Sequence, residues 1–213
     1  MTHLDMLDEL LARHPELTPV KEDILNAYIA LRDCFAAGGK VLTAGNGGSS
    51  ADAEHIAGEL MKCFSKKRPL TKESRAALVA ADPLRGEVLA DLLAEALPVI
   101  SLTGHAALST AVMNDNDAVA LFAQQIWGWG RPDDVLLALS TSGNAENLLL
   151  ATAAAKARGM KVVLLTGKEG GKLASLADVA IRVPETVTYL VQELHLPVYH
   201  TLCRMLEHHF FPV

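Results

Sequence analysis

Short apolar runs alternate with longer stretches of helical length over most of this chain. The stretch 146–158, for example, is rich in Ala and Leu and is closed by Gly159. An apolar run without alternation, bounded by Gly, Asp or Pro, is typical of a strand in a parallel sheet that helices cover on both faces. Five such runs occur, at residues 41–44, 98–102, 135–139, 162–165 and 179–183. The pattern predicts an α/β fold: a doubly wound, five-stranded parallel sheet flanked by helices in a flavodoxin-like, three-layer sandwich.

The chain before the first strand, about residues 1–37, has a helical pattern instead. Leucines recur there at helical spacing until Pro15 interrupts them. Thr18 is predicted to be the N-cap of a second helix, with Pro19 at its first position and Gly38-Gly39 after its end. We therefore expect N-terminal helices ahead of the sheet.

Length, composition and charge narrow the class of protein. A length of 213 residues favours one domain that spans residues 1–213. The composition, with 50% hydrophobic and 21% charged residues, excludes general disorder. The net charge of −6, from 25 acidic and 19 basic residues, does not suit binding to nucleic acid or to an anionic membrane. No apolar run reaches the roughly 18 residues of a membrane-spanning helix, and the acidic, amphipathic start does not resemble a secretion signal. Three cysteines, an odd number without metal-type spacing, add to the expectation of a cytoplasmic protein with reduced thiols.

A glycine-rich loop follows the first predicted strand. Residues 45–50 read Gly-Asn-Gly-Gly-Ser-Ser and lead into a helix from about Ala51. Glycines let the backbone approach a ligand closely, and the free N–H groups of a helix start attract an anion. The loop matches neither the dinucleotide-binding fingerprint nor the P-loop, so a tight strand-to-helix turn is an alternative at this point.

A second loop, after the third predicted strand, is rich in hydroxyl groups. It reads Ser-Thr-Ser-Gly-Asn over residues 140–144 and again lies between a strand and a helix. Three successive hydroxyls beside helix-start amides supply many uncharged donors, which suits a reversibly bound phosphate monoester. Helix capping explains one of these hydroxyls more readily than all three. A third turn, 166–171, follows the next strand and is either part of the same site or only a flexible connection.

Two predicted helices carry groups suited to acid–base chemistry or metal binding. His55 and Glu59 are four residues apart and so share one helix face. The last helix carries Gln192, His195 and His200. Nitrogen and oxygen ligands of these types suit zinc or a similar divalent ion, although a solvated pair explains either helix taken alone.

The two loops together resemble those of a known family. Gly-Asn-Gly-Gly-Ser after the first strand, with Ser-Thr-Ser-Gly-Asn after a later one, is similar to the sugar isomerase (SIS) domain and, within it, to the bacterial phosphoheptose isomerases. The similarity covers most of the chain. Those enzymes interconvert sedoheptulose 7-phosphate and D-glycero-D-manno-heptose 7-phosphate, so the resemblance implies an aldose–ketose isomerase. It also suggests heptose supply for lipopolysaccharide or another surface glycan.

The resemblance implies roles for individual residues. Glu59 and His200 fall on the positions with catalytic proton-transfer roles. The implied metal ligands, with zinc as the expected ion, are His55, Glu59, Gln192 and His200. The implied substrate-binding residues are Asn46, Gly47, Gly48, Ser49, Glu59, Asn114, Asp115, Ser140, Thr141, Ser142 and Gln192.

One difficulty concerns the two implied ligands on the last helix. Gln192 and His200 would lie roughly 12 Å apart along the axis of a straight helix and point about 80° apart. Either Pro197 kinks the helix between them, or a second subunit supplies one ligand. The family forms tetramers with active sites at subunit interfaces. We therefore expect a homo-oligomer, a tetramer by this resemblance, whose last helix completes a neighbour's site.

Isomerisation of this kind moves a proton between C1 and C2 through an enediol(ate). It needs a base beside the carbon, an acid or electrophile at the carbonyl oxygen, and a grip on the distal phosphate. Glu59 is the candidate base, His200 would move the proton at the oxygens, and a metal would polarise the carbonyl. A carboxylate bound to a metal is a poorer base. The ion therefore either leaves one Glu59 oxygen free or mainly shapes the site.

Three departures from the family pattern bear on the substrate. Ala145 stands where the isomerases usually have a serine, and Leu190 stands where they usually have Arg or Lys. About 26 residues, 71–96, are inserted after the helix that carries Glu59. Their pattern predicts two short helices broken at Asp82-Pro83, which would form a lid, an interface element or a surface decoration.

Two alternative functions stay open. The departures leave room for an isomerase of another phosphosugar. The second alternative is a non-catalytic SIS protein of the type that associates with the replication initiator and keeps the phosphosugar loops without the isomerase residues. Glu59 and His200 together argue against this second alternative, because a scaffold has no need of a paired acid and base.

Overall fold

The computed structural model describes residues 2–212 and contains the five-stranded parallel sheet that the sequence predicts. The strands lie in the order β2-β1-β3-β4-β5, and every neighbouring pair is parallel. Their bounds are β1 Val41–Gly45, β2 Val99–Ser101, β3 Val135–Ser140, β4 Lys161–Thr166 and β5 Val179–Arg182. Each strand lies within one residue, at either end, of its predicted run, because apolar runs between turn residues specify buried strands strongly.

Helices connect and cover these strands. The helices in the described residues are α1 His3–Arg13, α2 Lys21–Ala36, α3 Gly48–Met61, α4 Lys72–Ala81, α5 Pro83–Leu92, α6 Ala106–Asp115, α7 Leu121–Trp129, α8 Glu146–Ala157, α9 Gly171–Ala174 and α10 Thr188–Phe210. At least one helix follows each strand, as in the doubly wound arrangement of an α/β protein.

Alternating strand residues build two cores, one on each face of the sheet. Val135, Leu137 and Leu139 of β3 pack with residues from α1, α2, α3 and α10. Leu136 and Ala138 pack on the opposite face with residues from α7, α8 and α9. All six residues of β3 are buried because successive side chains of a strand point to opposite faces and both faces are covered.

The N-terminal region is helical as predicted, but its second helix begins later than the sequence suggests. Residues 15–20 form a 3₁₀ turn, and α2 begins at Lys21. The prediction that Thr18 caps this helix is therefore wrong. Its hydroxyl donates to the Pro15 carbonyl within the 3₁₀ turn, at 2.7 Å. A hydroxyl that satisfies a local carbonyl in this way supports the turn instead of the helix start.

The inserted segment forms a helical hairpin, α4 and α5. Asp82 caps α5 by accepting hydrogen bonds from two backbone N–H groups, and Pro83 is the first helical residue. The two helices pack mainly against each other. The apolar side chains of Leu84, Val88 and Leu92, spaced four apart, are 57–78% exposed. The hairpin thus adds little to either core.

Two further expectations can be compared with the described residues. None of their helices is both long and apolar enough to cross a membrane. Cys34, Cys63 and Cys203 are free thiols, and burial, the main cause, raises the pKa of Cys34 to about 12. A buried thiol with a raised pKa is chemically inert at neutral pH.

Candidate active site

The loop after β1 turns sharply because its glycines allow it. Gly47 has φ +56°, in the region that favours glycine, and α3 begins at the next residue. A Cβ at Gly48 would lie only 2.6 Å from Nε2 of Gln192, so the absence of a side chain lets the last helix approach this loop. The N–H groups of Ser49 and Ser50 donate to the carbonyls of Asn46 and Gly47 at 3.0 Å, which leaves the backbone of Gly48 facing Gln192.

The loop after β3 is held by the turn after β4. Gly143 has φ +65°, and a Cβ there would lie 1.9 Å from the carbonyl oxygen of Gly170. The backbone N–H of Gly167 donates to the Thr141 carbonyl at 3.0 Å. The N–H of Lys172 donates to Oδ1 of Asn144, also at 3.0 Å. The turn at 166–171 therefore braces the hydroxyl-rich loop and is not only a flexible connection.

The two loops enclose a cavity of about 350 Å³, which we call the cup. Asn46 and Asn147 join its two sides by a reciprocal pair of amide hydrogen bonds of 3.0 and 2.9 Å. Asn147 was missed by the sequence analysis, although its position on the first turn of α8 follows directly from the second loop. The residues that line the cup are Asn46, Gly47, Gly48, Ser49, Leu139, Ser140, Thr141, Ser142, Ala145, Thr188 and Gln192, none of them charged.

Helices α3 and α10 lie side by side and run in the same direction. Gln192 meets Gly48 at one end, and His200 meets His55 further along both helices. Seven residues of helix, from Gly48 to His55, correspond to roughly 10 Å along the axis. The cup and the group around His55 are therefore two separate places on one helix pair.

The group around His55, which we call the cluster, consists of His55, Glu59 and His200. Nε2 of His55 lies 3.1 Å from Oε1 of Glu59 and 3.5 Å from Nε2 of His200. The other carboxylate oxygen of Glu59 accepts a hydrogen bond of 2.9 Å from Nζ of Lys62, whose side chain is 63% exposed. Burial, together with the neighbouring His55, lowers the pKa of His200, so this ring is neutral at neutral pH. A neutral imidazole beside a carboxylate can accept a proton and return it.

Tyr199 and Asp52, which the sequence analysis missed, support the cluster through hydrogen bonds on the Nδ1 side of His55. The Tyr199 hydroxyl donates to Oδ1 of Asp52 at 3.1 Å and lies 3.0 Å from Nδ1 of His55. Tyr199 is 1% exposed. The spacing gave a signal that was not used: Asp52, His55 and Glu59 follow one face of α3.

A buried ion pair holds the end of α3 that carries Glu59. The Arg68 guanidinium donates to the backbone carbonyls of Glu59 and Leu60 at 3.0 and 2.7 Å, and to Glu207 at 2.7 Å. Both side chains of the pair are fully buried. Burial alone would raise the pKa of Glu207, but hydrogen bonds from Ser65, from the N–H of Phe64 and from Arg68 lower it. Arg68 and Glu207 were not predicted, because they lie far apart in the sequence.

The predicted metal ligands are only partly brought together. His55, Glu59 and His200 meet in the cluster, whereas the side chain of Gln192 lies against Gly48 and lines the cup. Helix α10 is continuous from Thr188 to Phe210 with Pro197 inside it, so the proline does not break the helix between the two ligands.

The donor types of the cluster suit zinc, but the described side chains are not arranged as a metal site. Two imidazoles and a carboxylate are ordinary zinc ligands. Within residues 2–212, however, no three His, Cys, Asp or Glu side chains are placed so that they could bind one metal ion. One carboxylate oxygen of Glu59 faces His55, and the other is engaged by Lys62.

Two other predicted groups lie outside the cup and the cluster. Asn114 and Asp115 are exposed at the end of α6, where the amide of Asn114 donates to Asp115 at 2.8 Å. His195 is fully buried on α10, and neither of its ring nitrogens has a hydrogen-bond partner among the described residues. Burial lowers the pKa of His195 to about 4, which the nearby backbone of Thr166 offsets only in part.

Comparison with known proteins places this geometry in a family. Two family models described as the SIS domain match residues 7–87 and 120–202. Phosphoheptose isomerase of Shewanella baltica is 38% identical over 194 residues, which cover 90% of this chain and 85% of that protein. The relative from Shewanella halifaxensis matches to the same extent.

Solved structures agree with the sequence relatives. The structure of a phosphoheptose isomerase from Francisella tularensis has a TM-score of 0.75 and 32% identity, covering 97% of this chain and 98% of the other. The phosphoheptose isomerase from Neisseria gonorrhoeae has a TM-score of 0.70 and 30% identity, with 94% and 97% covered. The similarity therefore extends over nearly the whole of each chain.

Proposed function

This chain belongs to the phosphoheptose isomerase family of SIS-domain phosphosugar isomerases, and on that premise we propose that it interconverts sedoheptulose 7-phosphate and D-glycero-D-manno-heptose 7-phosphate. The observation that carries this proposal is the separation of the cup from the cluster by roughly 10 Å along α3. An open-chain heptose 7-phosphate has its phosphate at one end and its carbonyl at the other. One substrate of this length would therefore reach both places at once.

The cup would hold the phosphate. Its donors would be the hydroxyls of Ser140, Thr141 and Ser142 and the backbone N–H groups of Gly47 and Gly48, because those of Ser49 and Ser50 donate to loop carbonyls. A helix start attracts an anion through its free N–H groups and its dipole. Because no charged side chain lines the cup, binding would be moderate in strength and readily reversed.

The cluster would carry out the proton transfers. Glu59 would remove the proton from the carbon next to the carbonyl and return it to the neighbouring carbon. His200, neutral because burial lowers its pKa, would move the proton between the two oxygens of the enediol(ate). The shared contacts of His55 keep these two groups within reach of one carbon–carbon bond.

We also propose that the site binds a divalent ion, for which the donor types favour zinc. His55, Glu59, Gln192 and His200 would be the ligands, and the ion would polarise the carbonyl when bound. Gln192 would have to move from its present position against Gly48, or a neighbouring copy of the chain would have to supply it. We therefore also propose a homotetramer with active sites at subunit interfaces.

Two properties of the setting complete the proposal. We place the enzyme in the cytoplasm, where free thiols such as Cys34 and Cys203 persist. Its product would supply heptose for lipopolysaccharide or another surface glycan.

A panel of ketose phosphates, incubated with the protein with and without a chelator, tests the function. Formation of aldose from sedoheptulose 7-phosphate alone is the expected result. Turnover of a different phosphosugar would instead support the alternative that Ala145, which lines the cup with a methyl group, has changed the substrate. Inertness towards every sugar, with and without added zinc, would contradict the proposed enzymatic activity and favour the alternative of a non-catalytic SIS binding protein.

A further inference from the structure

Tyr199 joins two residues of α3 that are three positions apart. Its hydroxyl donates to Oδ1 of Asp52 at 3.1 Å and lies 3.0 Å from Nδ1 of His55. Its ring lies edge-on to those of His55 and His200, with centroids 5.5 and 5.0 Å away. Because the side chain is 1% exposed, water has little access to compete for these contacts.

The direction of each hydrogen bond follows from the number of protons available. A phenol has one proton, and the carboxylate of Asp52 has none to give, so the Tyr199 proton lies towards Asp52. The oxygen of Tyr199 can then only accept from His55, which requires the proton of the neutral imidazole to be on Nδ1.

This assignment has a consequence on the other side of the ring. With the proton on Nδ1, Nε2 of the neutral imidazole carries a lone pair, and it faces Oε1 of Glu59 at 3.1 Å. A carboxylate oxygen is also an acceptor, so the two atoms attract only when a proton or a cation lies between them. His200 faces the same nitrogen at 3.5 Å.

We propose that Tyr199, oriented by Asp52, is a positioning residue that fixes the proton of His55 on Nδ1 and so keeps Nε2 free to share a proton with Glu59 and His200. The Tyr199 hydroxyl bonds to Asp52 and His55, and among the described residues Tyr199 is not one of those that line the cup. Its role rests on the proposed function only in that the cluster is the reacting centre. A second hydrogen bond that sets the tautomer of a ligating or proton-transferring histidine is a general device for tuning such a ring.

The tautomer can be measured directly in protein prepared without metal. Nitrogen-15 NMR of the labelled histidine rings, at about pH 8.5 where an ordinary imidazole is neutral, distinguishes a protonated Nδ1 from a protonated Nε2. Comparison with His55→Gln identifies the signals of His55. The wild-type protein is expected to have the proton on Nδ1, and Tyr199→Phe is expected to lose that preference. A proton on Nε2 in the wild type, or an unchanged spectrum in Tyr199→Phe, would overturn the proposal.

Asp52→Asn provides a second variant should Tyr199→Phe fold poorly. The Asn amide can donate to the Tyr199 oxygen, which lets the phenol proton turn towards Nδ1 of His55. We expect the fraction with the proton on Nε2 to rise in this variant. If the His55 ring keeps its wild-type tautomer in Asp52→Asn, the proposal that Asp52 orients the Tyr199 hydroxyl is wrong.

Kinetics separate a positioning role from a merely structural one. In Tyr199→Phe we expect kcat to fall about tenfold with little change in KM, which is a typical effect of losing a supporting hydrogen bond. Tyr28→Phe is the matched control, because Tyr28 is also 1% exposed but packs against His3 and His209 instead of the cluster. Equal kinetic losses in both variants would contradict the proposal. If the wild type turns over no sugar, the proposed function fails, whereas the NMR result still decides the tautomer.

Discussion

The cup and the cluster, the two ends of the candidate site, are built from different structural elements. The cup is made of loops, and its donors are hydroxyls and backbone N–H groups placed by glycines with positive φ, such as Gly47 and Gly143. The cluster is made of side chains on two long helices, and buried contacts from Tyr199 and Arg68 support it. Fixed dipoles are thus enough to bind an anion, whereas acid–base chemistry needs side chains that other buried residues hold in place.

This contrast predicts different effects of substitution at the two ends. Changes in the cluster should lower kcat, because its groups act on the reacting bond. Changes in the cup should raise KM, because the phosphate is held equally in the ground state and the transition state.

The largest effect is expected for Glu59→Gln, which keeps the shape of the side chain but removes the base. We expect kcat to fall at least about a thousandfold, with the thermal unfolding temperature close to that of the wild type. Glu54→Gln is the matched control, since Glu54 is exposed on the same helix and contacts Thr103 away from the cluster. Near-normal turnover by Glu59→Gln would remove the assignment of Glu59 as base.

The support beneath the cluster can be broken through its buried ion pair. Arg68→Met leaves Glu207 charged and without its ionic partner in a fully buried position, which should cost about 3–5 kcal/mol in the free energy of unfolding. Urea unfolding measures the loss. Arg75→Met is the control, because the pairs of Arg75 with Glu87 and Asp91 are exposed and should contribute much less to the free energy of unfolding. Equal losses in the two variants would show that burial of the pair does not matter.

The sequence predicted the fold and the loops better than the support of the cluster. Each strand lies within one residue of its apolar run, because burial on both faces leaves a continuous pattern. The glycine- and hydroxyl-rich loops were found for a similar reason, since turn and helix-start chemistry is local in sequence. Arg68 and Glu207, 139 positions apart, and Tyr199 and Asp52, 147 positions apart, were missed because only tertiary packing brings them together.

The separation of Gln192 from His200 was anticipated in part. The rise of a helix places residues eight apart at roughly 12 Å, and the structure keeps α10 continuous through Pro197. The sequence could not show which end Gln192 would join. That depends on the close approach of α10 to Gly48, which a side chain at position 48 would prevent.

His195 lies between the two ends of α10 and should make stability depend on pH. Its pKa is about 4 in the folded protein against 6.5 as the ordinary value, because burial disfavours the charged ring. Between these values the unfolded chain binds a proton that the folded protein does not. Stability therefore falls as pH decreases from 6.5 to 4, by about 3 kcal/mol, and this contribution is constant above that window.

His195→Leu tests this pH dependence, because leucine removes the unpaired polar ring and keeps an apolar side chain at the position. The free energy of unfolding, measured by urea titration between pH 7.5 and 4.5, should decline less steeply in this variant than in the wild type. His209→Leu, at an exposed position, should follow the wild-type curve. Parallel curves for His195→Leu and the wild type would mean that the buried ring does not stay neutral.

The smallest expected effect belongs to the cup and sharpens the contrast with the cluster. Thr141→Val keeps the shape of a side chain that lines the cup and removes only its hydroxyl, one of several donors to the phosphate. The loss of one hydrogen bond, about 1 kcal/mol, should raise KM for the sugar phosphate roughly fivefold and leave kcat nearly unchanged. Thr152→Val is the matched control, because its hydroxyl is buried in α8 without a hydrogen-bond partner in residues 2–212, and KM should stay the same. A fall in kcat with constant KM in Thr141→Val would mean that the cup takes part in the chemical step. The assignment of phosphate binding to the cup and of proton transfer to the cluster would then be wrong.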